Sequence, residues 1–165
     1  MTYSFQPLRP ADVDTVNGWI ARPHVAEWWL EAGGASSFID PADFDDPDFR
    51  MWLVLYDGRP FAYAQDYDPK LYPDHYFYDR PAPVRGIDQF IGEPDMMGQG
   101  HGQAFIRQRL AELFAEGAAV VVTDPHPDNA RAIRAYEKAG FVRYGEADHP
   151  KYGPAVLMQC AKEAY

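Results

Sequence analysis

The chain has 165 residues, 47% of them apolar and 24% charged. That fits one globular α/β domain over 1–165 with its own core, and excludes a disordered or collagen-like polymer. Lys and Arg number 15 against 25 Asp and Glu, a formal charge of -10. Such a field repels phosphate backbones and anionic lipid and attracts cations, so neither nucleic acid nor a membrane surface is the expected partner. No apolar run approaches the roughly 20 residues that span a bilayer. The opening MTYSFQPLRPADVD has no basic-then-apolar stretch, and the lone Cys160 can form no internal disulfide. The expected compartment is the cytoplasm.

In chain order, Tyr3 to Arg9 reads as a strand ending at Pro10. Asp12 or Asp14 caps a helix to about Ala21, and Pro23 starts a second, HVAEWWL, which Gly33 and Gly34 end. Residues 35–50 read as a loop crowded with aspartates, a steering surface for a cation or simply a solvated charge run. MWLVLY and FAYAQDY flank the turn DGRP as a hairpin. Residues 68–83, rich in proline and aromatics, are too long for a plain connection, and Tyr72, Tyr76, Phe77 and Tyr78 read as a lid over a pocket or as a subunit interface. VRGIDQFI is a strand, QAFIRQRLAELFAEG a helix, and AAVVVTD a strand buried on both faces. A fourth helix runs from a cap at about Asp128 to Ala139, with Gly140 at its left-handed end. FVRYGEA and AVLMQCA close the domain as strands. The predicted architecture is a mixed sheet of about seven strands flanked by about four helices.

Two segments carry chemistry. Gly98-Gln99-Gly100-His101-Gly102 lies between a strand and an amphipathic helix. Glycines there allow positive φ and close backbone approach, and free amides at the helix start suit anionic oxygens. The segment is neither a Walker A loop, lacking Gly-Lys-Ser/Thr, nor the dinucleotide fingerprint, because Gln103 stands where a third glycine belongs. The next βα unit reads TDPHPDNARAIRAYEKAGF.

This glycine turn, together with Asn129, Ala132, Tyr136, Lys138, Gly140 and Phe141, resembles the GNAT superfamily of N-acetyltransferases. VAEWW, YAQDY, VRGIDQ, TDPHPDNARAIRAYEKAGF and GPAV are similar to its aminoglycoside 6′-N-acetyltransferases, and His24 to Trp29 also to enzymes that acylate hydroxylysine-type siderophore precursors. The resemblance implies splayed central strands and acetyl-CoA as acyl donor. The amides of Gln99, Gly100, His101, Gly102 and Gln103 would cradle its pyrophosphate, with Phe90, Ile91 and Met97 alongside, Asn129 on the pantetheine and Tyr136 by the sulfur. Two departures are visible. Met97 stands where the family often has Gln or Arg, and Tyr152 where the resistance enzymes have an acid before Gly-Pro-Ala-Val.

Acetyl transfer to an ammonium requires a proton acceptor near the nitrogen. Asp88, in mid-strand among Val84, Ile87, Phe90 and Ile91, is the first candidate; the alternative is a strand aspartate facing solvent or paired with Arg85 or Arg134. Asp124 ends the next strand, where it holds an acceptor ammonium or caps the turn before Pro125. Glu27 and Asp66 are weaker acceptor-binding candidates or plain surface charges. Trp28 and Trp29 wall the acceptor or belong to the core. The Tyr136 phenol, with an unperturbed pKa of about 10, is matched to a departing thiolate, or makes a structural hydrogen bond. The histidines are scattered and no metal site is expected. The reading is an N-acetyltransferase, monomer or homodimer, acting on a small cationic amine such as an aminoglycoside 6′-amine. The alternatives are a hydroxylysine-type siderophore precursor or a polyamine as acceptor, a non-catalytic acyl-CoA sensor, and a nucleotide-binding α/β protein.

Overall fold

The computed structural model describes residues 1–30 and 38–165. The elements follow the predicted order: β1 (Tyr3–Pro7), α1 (Val13–Ile20), α2 (Pro23–Trp29), β2 (Arg50–Tyr56), β3 (Arg59–Tyr67), β4 (Val84–Ile91), α3 (His101–Ala115), β5 (Val120–Thr123), α4 (Ala130–Ala139), β6 (Val142–His149) and β7 (Gly153–Ala161). The seven strands form one sheet in the order β1-β2-β3-β4-β5-β7-β6, with β4 and β5 the parallel pair. The proposed helix end at Gly33 and Gly34 lies outside the described residues.

Side chains alternate across each strand, so the sheet has two covered faces. Val54, Ala62, Ala64, Ile87 and Val121 pack under α3 and α4 with Phe105, Leu110, Leu113 and Ile133. On the opposite face Met51, Leu53, Leu55 and Tyr63 meet Val16, Trp19, Ile20 and Val25 of α1 and α2. A third cluster joins Phe77, Val84, Val122, Ala155 and Leu157, which fastens segment 68–83 to the sheet. Phe77 is fully buried there while Tyr78 is exposed, so these aromatics divide between core and surface.

Two helix starts differ from expectation. Asp12 precedes α1 without a capping bond from its side chain, because its carboxylate pairs with Arg9 at 3.0 Å. The cap of α4 is Asn129, whose Oδ1 accepts from the Ala132 N–H at 3.1 Å; Asp128 is exposed one residue earlier.

β4 and β5 pair at Val84/Val120, Arg85/Val121 and Gly86/Val122. β5 ends at Thr123 while β4 runs to Ile91. Beyond Gly86, β4 keeps its β3 partner, Ile87/Asp66 through Ile91/Ala62, and its other edge opens into a cleft.

Asp66 does not serve an acceptor. It is 1% exposed and points toward α3. Arg50 and Arg85 each reach Oδ1 at 2.6 Å and Arg109 reaches Oδ2 at 2.9 Å, with the Trp52 indole on Oδ2 at 2.7 Å. Burial opposes the charge, yet Arg109, Trp52 and Arg50 together hold the carboxyl below its ordinary range. A carboxyl with a depressed folded pKa stabilises above its unfolded value of about 4, and that contribution is lost as pH falls through the folded value. Asp66→Asn removes the one buried carboxylate that Arg109 pairs with and leaves it the half-exposed Glu112 and Glu116, so it is expected to cost up to about 3–5 kcal/mol in denaturant unfolding at pH 7. The difference from the parent should shrink as both are titrated to acid.

Candidate active site

The first half of the site is the start of α3. Gly98 and Gly100 have φ of 75° and 85°, left-handed values that favour glycine. The chain thereby turns into α3 with its first amides facing outward. Ala104 N–H, bonded to the Gly100 carbonyl at 3.2 Å, is the first to find a partner in the helix; the amides before it are an unfilled donor set for an anion. The His101 ring anchors the turn: it is buried, with Nδ1 2.9 Å from the Tyr3 hydroxyl. Gln99 folds its side-chain amide onto the Asp95 carbonyl.

A cleft of about 310 Å³ runs from this turn along the open edge of β4, lined by Phe90, Ile91, Met97, Gly98, Gly100, Gly102, Gln103, Asn129 and Tyr136. Arg131, Arg134 and Lys138 line it too, a basic stripe down one face of α4 with Arg131 touching the Met97 sulfur at 3.5 Å. Their i, i+3, i+7 spacing is the signal in the sequence that places them on one helix face. They give a locally positive wall in a protein of charge -10 and suit phosphate. The cleft therefore fits a long ligand with an anionic head and a neutral, slender tail.

The second half is a larger cleft of about 650 Å³ on the α1/α2 face, lined by Glu27, Asp43, Gln65, Tyr67, Tyr72, His75, Asp88, Asp124, Lys151 and Tyr152, among others. The two clefts share Trp28, Trp29, Gln89, Asn129, Ala132 and Tyr136 and so meet at the Tyr136 hydroxyl. Trp29 stands edge-on to Phe90 at 4.8 Å and Trp28 lies 5.8 Å from the His126 ring. Both tryptophans are walls and packing at once. Of the suspected lid, Tyr72 faces the cleft, with His75 beside it. The His75 imidazole is pushed down to about 4 by burial, then by His149 and Lys151, and is neutral at physiological pH.

At the floor lie Asp88 and Asp124, hydrogen-bonded to each other. Burial, the charge of Asp88 and the bond to it push Asp124 well above the carboxylate range. Asp88 is raised as well by burial, partly offset by hydrogen bonds from Gln65 and Asp124. Two carboxyls in contact cannot both ionise, so the pair holds one proton. The salt-bridge alternative for Asp88 is not realised: among the described residues no Lys or Arg pairs with either carboxyl.

The phenolic oxygen of Tyr136 accepts a hydrogen bond from the Gln89 side-chain amide and shares a second with the Thr123 hydroxyl, at the junction of the two clefts. Burial first, then Asp88 and Asp124, raise its pKa above the ordinary phenol value. The matched-acidity expectation therefore changes: at this site the phenol is a firm hydrogen-bond donor rather than a ready acid. Among the described residues no group of three His, Cys, Asp or Glu is placed to hold a metal, and no helix is long and apolar enough to cross a membrane.

The family model for the acetyltransferase (GNAT) domain matches residues 9–149. The chain is 33% identical over 162 residues to an aminoglycoside N(6′)-acetyltransferase type 1 of Klebsiella pneumoniae, covering 93% of this chain and 80% of that one. Its fold superposes on AAC(6′)-Ib in complex with paromomycin and acetyl-CoA with a TM-score of 0.87 at 31% identity, covering 99% and 96% of the two chains. The same enzyme in complex with coenzyme A and kanamycin gives 0.86 at 32%, with the same coverage.

The half-buried acid pair has a measurable stability signature. In the unfolded chain both carboxyls titrate near 3.9, whereas the folded protein keeps a proton to higher pH. Across that window the folded state binds more protons, so stability falls as pH rises. Asp124→Asn, a neutral mimic of the protonated partner, should match the parent near pH 4. Above it the variant should gain up to about 1.4 kcal/mol per pH unit until the pair's upper pKa is passed. Thermal melts from pH 4 to 9 read this directly.

Proposed function

The chain belongs to the GNAT family of acetyltransferases, and from that premise we propose that it transfers the acetyl group of acetyl-CoA to a primary amine of an aminoglycoside-type cation, both substrates bound at once. The observation that carries this reading is the meeting of the two clefts at Tyr136, with a proton-holding acid pair on the acceptor side. The relatives that bind coenzyme A, acetyl-CoA, kanamycin or paromomycin support both substrate classes.

Each role follows from the chain's own groups. The amides from Gln99 to Gln103 hold the diphosphate, with Arg131, Arg134 and Lys138 alongside. Asn129 and the open edge of β4 guide the slender arm past Phe90, Ile91 and Met97. Acetyl-CoA, once bound there, supplies an acetyl thioester and a thiolate leaving group. A β4 main-chain N–H freed by the parting of β5 polarises the carbonyl, acting where negative charge develops. Glu27, Asp43 and the single charge of the Asp88–Asp124 pair draw the polycation in. Asp88 takes the proton of the reacting ammonium, giving a neutral nucleophile and a neutral carboxyl. Tyr136 donates a hydrogen bond to the departing sulfur while keeping its proton, and the sulfur leaves as a thiol with the second proton of the attacking nitrogen.

The test is a panel of amines incubated with the protein and acetyl-CoA and read by mass. It should include kanamycin-like aminoglycosides, spermidine and hydroxylysine. An aminoglycoside is expected to gain a single acetyl group with release of one thiol. Asp88→Asn should lower kcat by about 10²–10⁴-fold, and Tyr136→Phe should lower kcat by about 10-fold or more while acetyl-CoA still binds. Acetyl-CoA binding with no acetylated amine of any kind would overturn the reading.

A further inference from the structure

Sharing one proton between two carboxyls leaves open which of them is the base. We propose that Gln65, held in place by Tyr63, is a positioning residue that assigns this proton, keeping Asp88 as the ionised partner and Asp124 as the protonated one. The inference rests on the reading of Asp88 as proton acceptor and adds what makes it so.

Gln65 on β3 stands directly opposite Asp88 on β4 in the antiparallel register. Its side-chain amide donates to Asp88 Oδ2 at 2.9 Å. An amide has two ends, and only its NH₂ end suits an ionised carboxylate. Tyr63, two residues earlier on the same face, settles which end is presented, because its hydroxyl donates to Gln65 Oε1 at 2.9 Å. Tyr63 is fully buried. Burial, then the charges of Asp88 and Asp43, raise its phenol well above the ordinary value, so it remains a donor throughout the working pH range. The chain Tyr63 to Gln65 to Asp88 therefore runs in one direction.

The rest of the surroundings do little to distinguish the two carboxyls. Tyr63 and Tyr67 from β3, Tyr76 from segment 68–83 and Tyr136 from α4 face Asp88, and all but Tyr63 face Asp124 as well; Tyr144 of β6 also faces Asp124. All are neutral phenols. Asp124 accepts from its own backbone N–H, a cramped geometry for a hydrogen bond. The directed donor that separates the two is Gln65. With the proton on Asp124, the pair presents one negative charge to one ammonium. Asp88 then takes the ammonium proton while Asp124 remains neutral beside it.

The carboxyl carbons report this without turnover. In protein labelled with ¹³C-aspartate, the two resonances are assigned with Asp88→Asn and Asp124→Asn and followed against pH by NMR. In the parent, Asp88 should ionise well before Asp124. In Gln65→Leu the midpoint of Asp88 should rise by about one unit or more and that of Asp124 should fall. Tyr63→Phe, which keeps Gln65 and removes one hydroxyl, should move both in the same direction by less, and it carries the test should Gln65→Leu not fold. Adding Tyr63→Phe to Gln65→Leu should then change nothing further. Midpoints unmoved in both variants, or Asp124 ionising first in the parent, would overturn the assignment. In turnover, the acid limb of kcat/KM should follow the Asp88 midpoint, with kcat falling more than the acceptor KM changes. Shifted midpoints with an unshifted acid limb would uphold the proton assignment and sink the reading of Asp88 as base.

Discussion

Everything at this site follows from the early divergence of two parallel strands. β4 and β5 share three rungs and part after Gly86 and Val122. β5 then stops and the chain crosses to α4. The parting leaves β4 backbone groups without a strand partner, and a row of unpaired donors and acceptors in the middle of the sheet is a template for an extended ligand. It also places the carboxyl end of β5, with Asp124, level with the middle of β4, with Asp88. Ligands gather where neighbouring strands part in this way, and here both clefts and Tyr136 converge on the gap.

The sheet handles its buried carboxylates in two opposite ways. Gln65 and Asp66 are neighbours on β3, so they face opposite sides. Asp66 is gripped by three guanidiniums and an indole, a neutralised charge that ties β2, β3, β4 and α3 together. Asp88 and Asp124 lie half-buried together at the cleft floor, sharing a single proton among neutral phenols. Nothing in packing favours the second arrangement, since paired unneutralised acids cost stability. Such a cost is characteristic of sites that act on a ligand.

Much of the fold was legible because its signals are local: the helix stripes, the hairpin around DGRP, the Gly98–Gly102 turn and the left-handed stop at Gly140. Asp88 and Asp124 could each be singled out, as an acid in mid-strand and an acid at a strand end. Their contact could not, because it depends on parallel pairing between strands separated by a turn and a whole helix. Tyr63 and Gln65 stand in the YAQDY segment, yet their link to Asp88 was not legible for the same reason: a glutamine opposite an aspartate is a matter of register. Asp66 misled because alternation assigns a face without saying what lines it. The aromatics of segment 68–83 read as one group, a lid or a subunit interface, yet Phe77 is core and Tyr72 lines the acceptor cleft. Asn129 took the cap given to Asp128 because a one-residue choice between two good capping residues is made by the approach of the preceding loop.

The central claim is that acyl donor and amine lie in one continuous groove that bends at Tyr136. A conjugate joining the thiol of coenzyme A to an aminoglycoside 6′-nitrogen through a two-carbon acyl bridge tests it, with binding measured by calorimetry against coenzyme A alone. A continuous groove predicts roughly 10²-fold tighter binding or better, from one ligand filling both arms, with the gain abolished by an excess of free aminoglycoside. A conjugate that binds no tighter than coenzyme A itself would contradict the account.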